Sequence, residues 1–155
     1  MGNRLNNGFP MEVFQTQRTP FYYYDMALLR DTLNLINRII DGRPYIIHYA
    51  LKANENPRIL DEIVRVGMGA DLVSGGEMRA ALAAGFAPGK MAYAGVGKTD
   101  WEILLGLENK IGCFNVESVP EMEVISALAT ETAHTASIAI RVNPDIDAHT
   151  HKYIT

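Results

Sequence analysis

The sequence predicts an α/β fold in which parallel strands alternate with crossover helices. Three observations carry that expectation. Short apolar runs alternate with segments of helical period along most of the chain. The apolar runs begin about every 20 to 25 residues, somewhat tight for βαβ units but compatible with a (β/α)8 barrel. The helical segments also carry their own boundary residues, with Pro at a first position and Gly just past an end.

In chain order, a polar lead-in ends at Pro20, and the aromatic run Phe21 to Tyr24 reads as a strand because aromatic rings suit a pleated surface. Asp25 can cap a helix over Met26 to Ile40, whose Leu29, Leu33, Ile36 and Ile40 share one face, and Asp41-Gly42-Arg43-Pro44 stops it. Tyr45 to Leu51 is an apolar strand. Asn56-Pro57 starts a helix carrying Ile59, Leu60, Ile63 and Val64, which Gly67 ends. Ala70 to Val73 is the next strand, and Gly76 to Ala84 a helix closed by Gly85. Met91 to Ala94 and Ile111 to Val116 are strands on either side of a helix over Thr99 to Leu107. Ser118 and Glu121 have capping-box spacing for a helix through Ala129. Ser137 to Val142 is a fifth barrel-type strand, after which Asn143-Pro144-Asp145 turns the chain. A barrel needs eight strands and about 250 residues, so the 155 residues predict either an open doubly wound sheet or an incomplete barrel. Periodicity alone leaves both open. The absence of a helix after the fifth strand favours truncation.

Composition narrows the class. The chain is 48% hydrophobic with a formal net charge of −4, an ordinary soluble balance that gives no reason to expect nucleic acid or an anionic membrane as partner. No segment approaches the roughly 20 apolar residues of a membrane span, and the polar start lacks a signal peptide's apolar stretch, so a cytoplasmic location is expected. The single cysteine, Cys113, excludes an internal disulfide; its strand setting, without a neighbouring cation, reads as packing rather than a nucleophile. His149 and His151 lack a cysteine partner and make a poor metal site, and His134 reads as a solvated loop residue.

Three positions invite chemistry. Lys52 stands at the carboxyl end of Tyr45 to Lys52, the end at which α/β active sites form. Alternation puts it on one face with Ile46, His48 and Ala50, with a mostly apolar approach in which a lysine loses preference for its charge and can attack a carbonyl. The alternative is a lysine that merely reaches water. Gly69-Ala-Asp-Leu-Val-Ser-Gly-Gly-Glu77 places Asp71 inside a strand, where a carboxylate needs a partner, and ends in a glycine turn whose amides could face a ligand. Glu77 there also suits the helix dipole without any other role. Arg141, inside the fifth strand, needs either a structural ion pair or an anionic ligand. Two familiar motifs fail: Gly97-Lys98-Thr99 has Ala92 where a phosphate-binding loop needs Gly, and Gly67-Met-Gly69 has Leu72 at the third glycine position of a dinucleotide fingerprint.

Read together, Tyr49-Ala-Leu-Lys-Ala-Asn54 resembles the cofactor-lysine motif of the fold type III, alanine-racemase-like enzymes that use pyridoxal 5'-phosphate (PLP). The Gly69 to Glu77 segment, Phe114-Asn-Val-Glu-Ser118, Arg141-Val-Asn-Pro-Asp-Ile-Asp147, Thr150-His151 and Tyr153-Ile154 continue the resemblance in order. Among that class the Gly-Gly-Glu and Asn-Pro-Asp segments are most similar to the diaminopimelate decarboxylases, less so to ornithine or arginine decarboxylases or alanine racemase. The resemblance implies a PLP-binding (β/α)8 TIM-type barrel of which residues 26–155 supply about five of eight units. It implies truncation before the C-terminal half and a β-sandwich domain, which the strand in residues 1–25 would join. Lys52 would hold PLP as a Schiff base, with Ala50 and Asp71 beside its ring, Glu77 near the same pocket and Arg141 toward the ring hydroxyl. The phosphate loop and a histidine-bearing strand would lie later. The parent enzyme would convert meso-diaminopimelate to L-lysine in lysine biosynthesis, as a homodimer, with this chain alone inactive. Another type III amino-acid decarboxylase, a non-catalytic PLP-binding barrel protein and a cofactor-free open-sheet module are the competing expectations.

Overall fold

The computed structural model describes residues 9–144. Its elements follow the predicted rhythm: α1 (Met11–Gln15), α2 (Met26–Ile40), β1 (His48–Ala50), α3 (Pro57–Arg65), β2 (Gly69–Leu72), α4 (Gly75–Ala84), β3 (Met91–Tyr93), α5 (Asp100–Glu108), β4 (Cys113–Val116), α6 (Val119–Glu131) and β5 (Ile138–Ile140). The segment Asp145 to Thr155, with Asp147, His149 and His151, lies outside the described residues.

The helix boundaries have local causes. The Asp25 carboxylate accepts from the amides of Ala27 and Leu28, both at 3.0 Å, and starts α2 at the expected residue. Asn56 caps α3 through Arg58 N–H, with Pro57 in the first turn. Gly85 closes α4 with φ +87°, a left-handed conformation that an L side chain rarely adopts.

The five strands are all parallel and stand in sequential order, β1-β2-β3-β4-β5. Consecutive helices from α2 to α6 also touch one another in turn. A doubly wound sheet reverses its strand order and divides its helices between two faces. Sequential order with neighbouring helices is the barrel arrangement, so the choice that periodicity left open falls to a partial barrel.

Alternation sorts the sheet into two faces. Ala70, Leu72, Met91, Tyr93, Phe114 and Val116 are buried, and with Ile63, Met78, Ile103 and Ile125 of the helices they make the core. The opposite face carries small and polar residues, the row Ala50, Asp71, Ala92 and Cys113 lying in direct register. Burial fades toward β5, whose three residues are all exposed.

The N-terminal region adds a short helix to the expected elements. Phe21 to Tyr24 pairs with none of the five described strands. Its rings pack instead on Phe14 of α1, a helix the polar composition of the lead-in concealed; Phe14 lies 5.3 Å from Phe21 and 5.0 Å from Tyr23 between ring centroids. No described helix is long and apolar enough to cross a membrane.

Candidate active site

The carboxyl ends of the strands surround a cavity of about 530 Å³ lined by Lys52, Asp71, Val73, Ala94, Gly95, Asn115, Glu117 and Arg141, together with Ala139 and Ile140. Three of the five expected site residues therefore meet in one place. Lys52 does not sit in the strand. β1 ends at Ala50, and Lys52 lies in a single 3-10 turn, Leu51–Ala53, with Leu51 fully buried beneath it. The lysine is exposed rather than enclosed by apolar neighbours, and no acceptor for its ammonium stands among the described residues.

The turn that carries Lys52 is fastened on both sides. Asn54 N–H donates to Leu51 O at 3.0 Å, and Tyr49 Oη donates to Asn54 O at 3.1 Å. The Asn54 side chain accepts from Asn56 N–H and donates to Tyr24 Oη, each at 2.9 Å. Burial, with a smaller contribution from Tyr24, raises the Tyr49 phenol above its ordinary value and keeps it a donor. The aromatic segment that failed to make a strand thus helps hold the lysine turn.

Asp71 is half-buried on β2, with no partner among the described residues. Ala50 is its register neighbour across β1 but does not line the cavity. Arg141 lies one residue past β5 rather than within it, and its side chain is 65% exposed. Its Nη1 donates to both carboxylate oxygens of Glu117 at 3.3 Å. The ion pair expected as one alternative for Arg141 is present, and Arg141 lines the cavity as well.

Glu77 does not line the cavity. Its buried carboxylate accepts from Val73 N–H at 2.7 Å, while Ser74 Oγ accepts from Glu77 N–H. The same device recurs twice. Glu102 accepts from Thr99 N–H and Oγ, and Glu121 accepts from Glu117 N–H while Ser118 Oγ accepts from Glu121 N–H. The capping box expected at Ser118 reaches back one residue further than its usual form.

These carboxylates take up part of the Ser74-Gly75-Gly76 turn, whose amides were expected to face a ligand. Gly75 N–H donates to Glu102 Oε1 at 2.6 Å. Glycine is needed at 75 because a Cβ there would lie 2.2 Å from the Trp101 ring. At three helix starts a carboxylate of the chain itself accepts a backbone N–H that could otherwise meet an anion. Burial alone would raise Glu102, but donation from Thr99, Gly75 and Tyr93 outweighs it and holds the carboxyl below its ordinary value. Tyr93 is pushed well upward, by burial first and Glu102 second.

Sequence reasoning missed Lys98. Its side chain is 1% exposed, and its ammonium donates to Gly95 O at 2.7 Å, Asn115 O at 2.8 Å and Glu121 Oε1 at 2.5 Å. All three of its donors are used. The Gly97-Lys98-Thr99 segment that resembled a phosphate loop is therefore a tie between the ends of β3 and β4 and the start of α6. Only its proximity to the strand end was available as a signal.

The remaining residues are quieter. Cys113 is half-buried on β4, and burial raises its thiol above the ordinary value, in keeping with packing. His134 is half-buried rather than solvated, and its Nδ1 has no hydrogen-bond partner among the described residues. A larger groove of about 890 Å³ runs between α6 and residues 134–138, away from Lys52. No described group of three His, Cys, Asp or Glu residues is placed to hold a metal.

Known proteins share this fold. The family described as "Pyridoxal-dependent decarboxylase, pyridoxal binding domain" matches residues 27–155. The diaminopimelate decarboxylase of Bacteroides thetaiotaomicron is 58% identical over 148 residues, which are 95% of this chain and 38% of that protein. The crystal structure of diaminopimelate decarboxylase from Helicobacter pylori complexed with L-lysine superposes with a TM-score of 0.84 at 43% identity, over 92% of this chain and 36% of that one. A lysine/ornithine decarboxylase from Vibrio vulnificus shares the fold at a TM-score of 0.71 and 19% identity. The chain thus spans little more than a third of the diaminopimelate decarboxylases it matches. With a lysine at the rim of a strand-end cavity and a family match over nearly its whole length, the chain belongs to the pyridoxal-binding domain family of the pyridoxal-dependent decarboxylases.

Proposed function

We propose that the protein carrying this chain decarboxylates meso-diaminopimelate to L-lysine, with PLP held on Lys52. The observation that carries the reading is the convergence of Lys52, Asp71 and Arg141 on one cavity at the carboxyl ends of the strands. An amine without an acceptor, beside a carboxylate without a donor, suits an aldehyde cofactor with a polar ring. When bound, PLP supplies the sink for the electron pair left as CO2 departs, and a proton then replaces the lost carboxylate.

The chain's own residues hold and orient. The Tyr49–Asn54–Tyr24 fastening fixes the turn from which Lys52 reaches the cavity. Asp71 offers acceptor oxygens on the cavity floor, and Ala50 beside it keeps that row free of bulk. Arg141 meets anionic oxygen at the rim. Glu77 acts from behind, fixing the end of β2 through Val73 N–H.

Among the described residues no cluster of cations is placed to hold a phosphate dianion. Lys52 and Arg141 are matched in the cavity lining by Asp71 and Glu117, and at each nearby helix start a glutamate already accepts a backbone N–H. This supports a reading in which the remaining two thirds of the protein complete the barrel and carry the phosphate site. Residues 1–25 would join a further domain, a view supported by exposed rings such as Phe9 at 61% and Tyr22 at 89%. The whole protein is read as a cytoplasmic homodimer in which subunits complete each other's sites.

The test is lysine release from meso-diaminopimelate by the full-length protein with added PLP. Wild type is expected to release lysine and Lys52→Ala to release none. Equal release by both, or release only from ornithine or arginine, contradicts the proposal.

A further inference from the structure

Glu117 occupies a position that no helix-capping role explains. It follows β4 directly, its side chain is 11% exposed, and it lines the cavity with Lys52 and Asp71. Its backbone N–H is bound to Glu121, so the residue is anchored from α6, and Glu121 is in turn fixed by Lys98. Its carboxylate then does two things. Oε1 accepts from Gly95 N–H at 3.3 Å, at the end of β3. Both oxygens receive Arg141 Nη1 from beyond β5. One carboxylate therefore links three consecutive strand ends.

Arg141 depends on this link. Its side chain is largely exposed, Glu117 is its only acceptor among the described residues, and Nε and Nη2 are left without one. An exposed arginine without a fixed partner samples many rotamers, and holding it in one has an entropic cost at binding. Arg141 is also, with Lys52, one of the two cations lining the cavity. We infer that Glu117 is a positioning residue that aims Arg141, so that the guanidinium's free donors meet an anionic oxygen of the ligand beside Lys52. Glu117 acts through Arg141 and makes no contact of its own with the ligand.

This inference rests on the cofactor reading above, and the experiment separates the two. PLP affinity is measured by fluorescence titration of the full-length apoprotein for wild type, Glu117→Gln, Arg141→Met and the double variant. Glutamine keeps an oxygen for Gly95 N–H but loses the charge, so the melting temperature changes little. Glu117→Gln is expected to weaken PLP about tenfold when Arg141 is present and to have no further effect when it is Met. Glu117→Asp, which keeps the charge on a shorter reach, recovers part of the loss, and it carries the same cycle if the glutamine variant does not fold. Equal weakening with and without Arg141 overturns the inference and leaves the cofactor reading intact. A wild-type protein whose PLP uptake is unchanged by Lys52→Ala overturns both.

Discussion

Lys52 and Lys98 both stand at the carboxyl ends of parallel strands, and their surroundings are opposite. Lys98 is sealed among Gly95 O, Asn115 O and Glu121, with the Tyr93 ring 5.3 Å away. Lys52 stands exposed on a 3-10 turn, and its ammonium has no acceptor among the described residues. The difference extends to the regions around them. At the ends of β2, β3 and β4, the carboxylates of Glu77, Glu102 and Glu121 take up backbone amides at the helix starts. At the rim formed by β1 and β5, Lys52 has no acceptor among the described residues and Arg141 only Glu117. A strand end is thus only a place where chemistry is possible; the neighbours decide whether a cation is structural or reactive.

This contrast gives graded predictions for thermal or denaturant unfolding. Lys98→Ala is expected to destabilise by about 3–5 kcal/mol, since it leaves the Glu121 carboxylate and two carbonyls without their partner. A loss under about 1 kcal/mol would show that the sealed region relaxes easily and would break the contrast. Gly75→Ala is expected to cost about 1–3 kcal/mol, because the new Cβ forces Trp101 away from α4.

Glu102→Gln sharpens the same region through pH. The folded carboxyl lies below its ordinary value, so its stabilisation is fully present above the unfolded carboxylate value and is lost as pH falls through the folded one. The gap in stability between wild type and variant is therefore expected at neutral pH, at about 1–3 kcal/mol, and to close in acid. A gap that widens in acid would contradict the hydrogen-bond account. The smallest effect belongs to Lys52→Ala, expected to change stability by no more than about 0.5 kcal/mol because the side chain is exposed and unpaired.

Where sequence and structure agree, the signals were local. Asp25 before an apolar stripe located α2 to the residue, and Asn56-Pro57 and Gly85 marked the neighbouring helices, because a cap or a breaker acts within one turn. The sequential strand order was not legible, since order is a property of packing and not of period. The 3-10 turn under Lys52 also escaped, because one turn is too short to show a period and the apolar run continues into Leu51. At the site, Lys52, Asp71 and Arg141 were legible as charged residues in or beside apolar strands. Glu117 and Lys98 were not, because their meaning lies in contacts that cross from β4 to β5 and from β3 to α6. Glu77 shows the reverse case: a motif residue whose carboxylate turns inward to a backbone amide.

Of the two strand-end lysines, only Lys52 has an ammonium without an acceptor among the described residues. The direct measurement is to incubate the full-length protein with PLP, reduce with borohydride, and locate the modified lysine by peptide mass spectrometry. Label is expected on Lys52 and none on Lys98. Label on Lys98, or label spread evenly over the exposed lysines, would contradict that expectation.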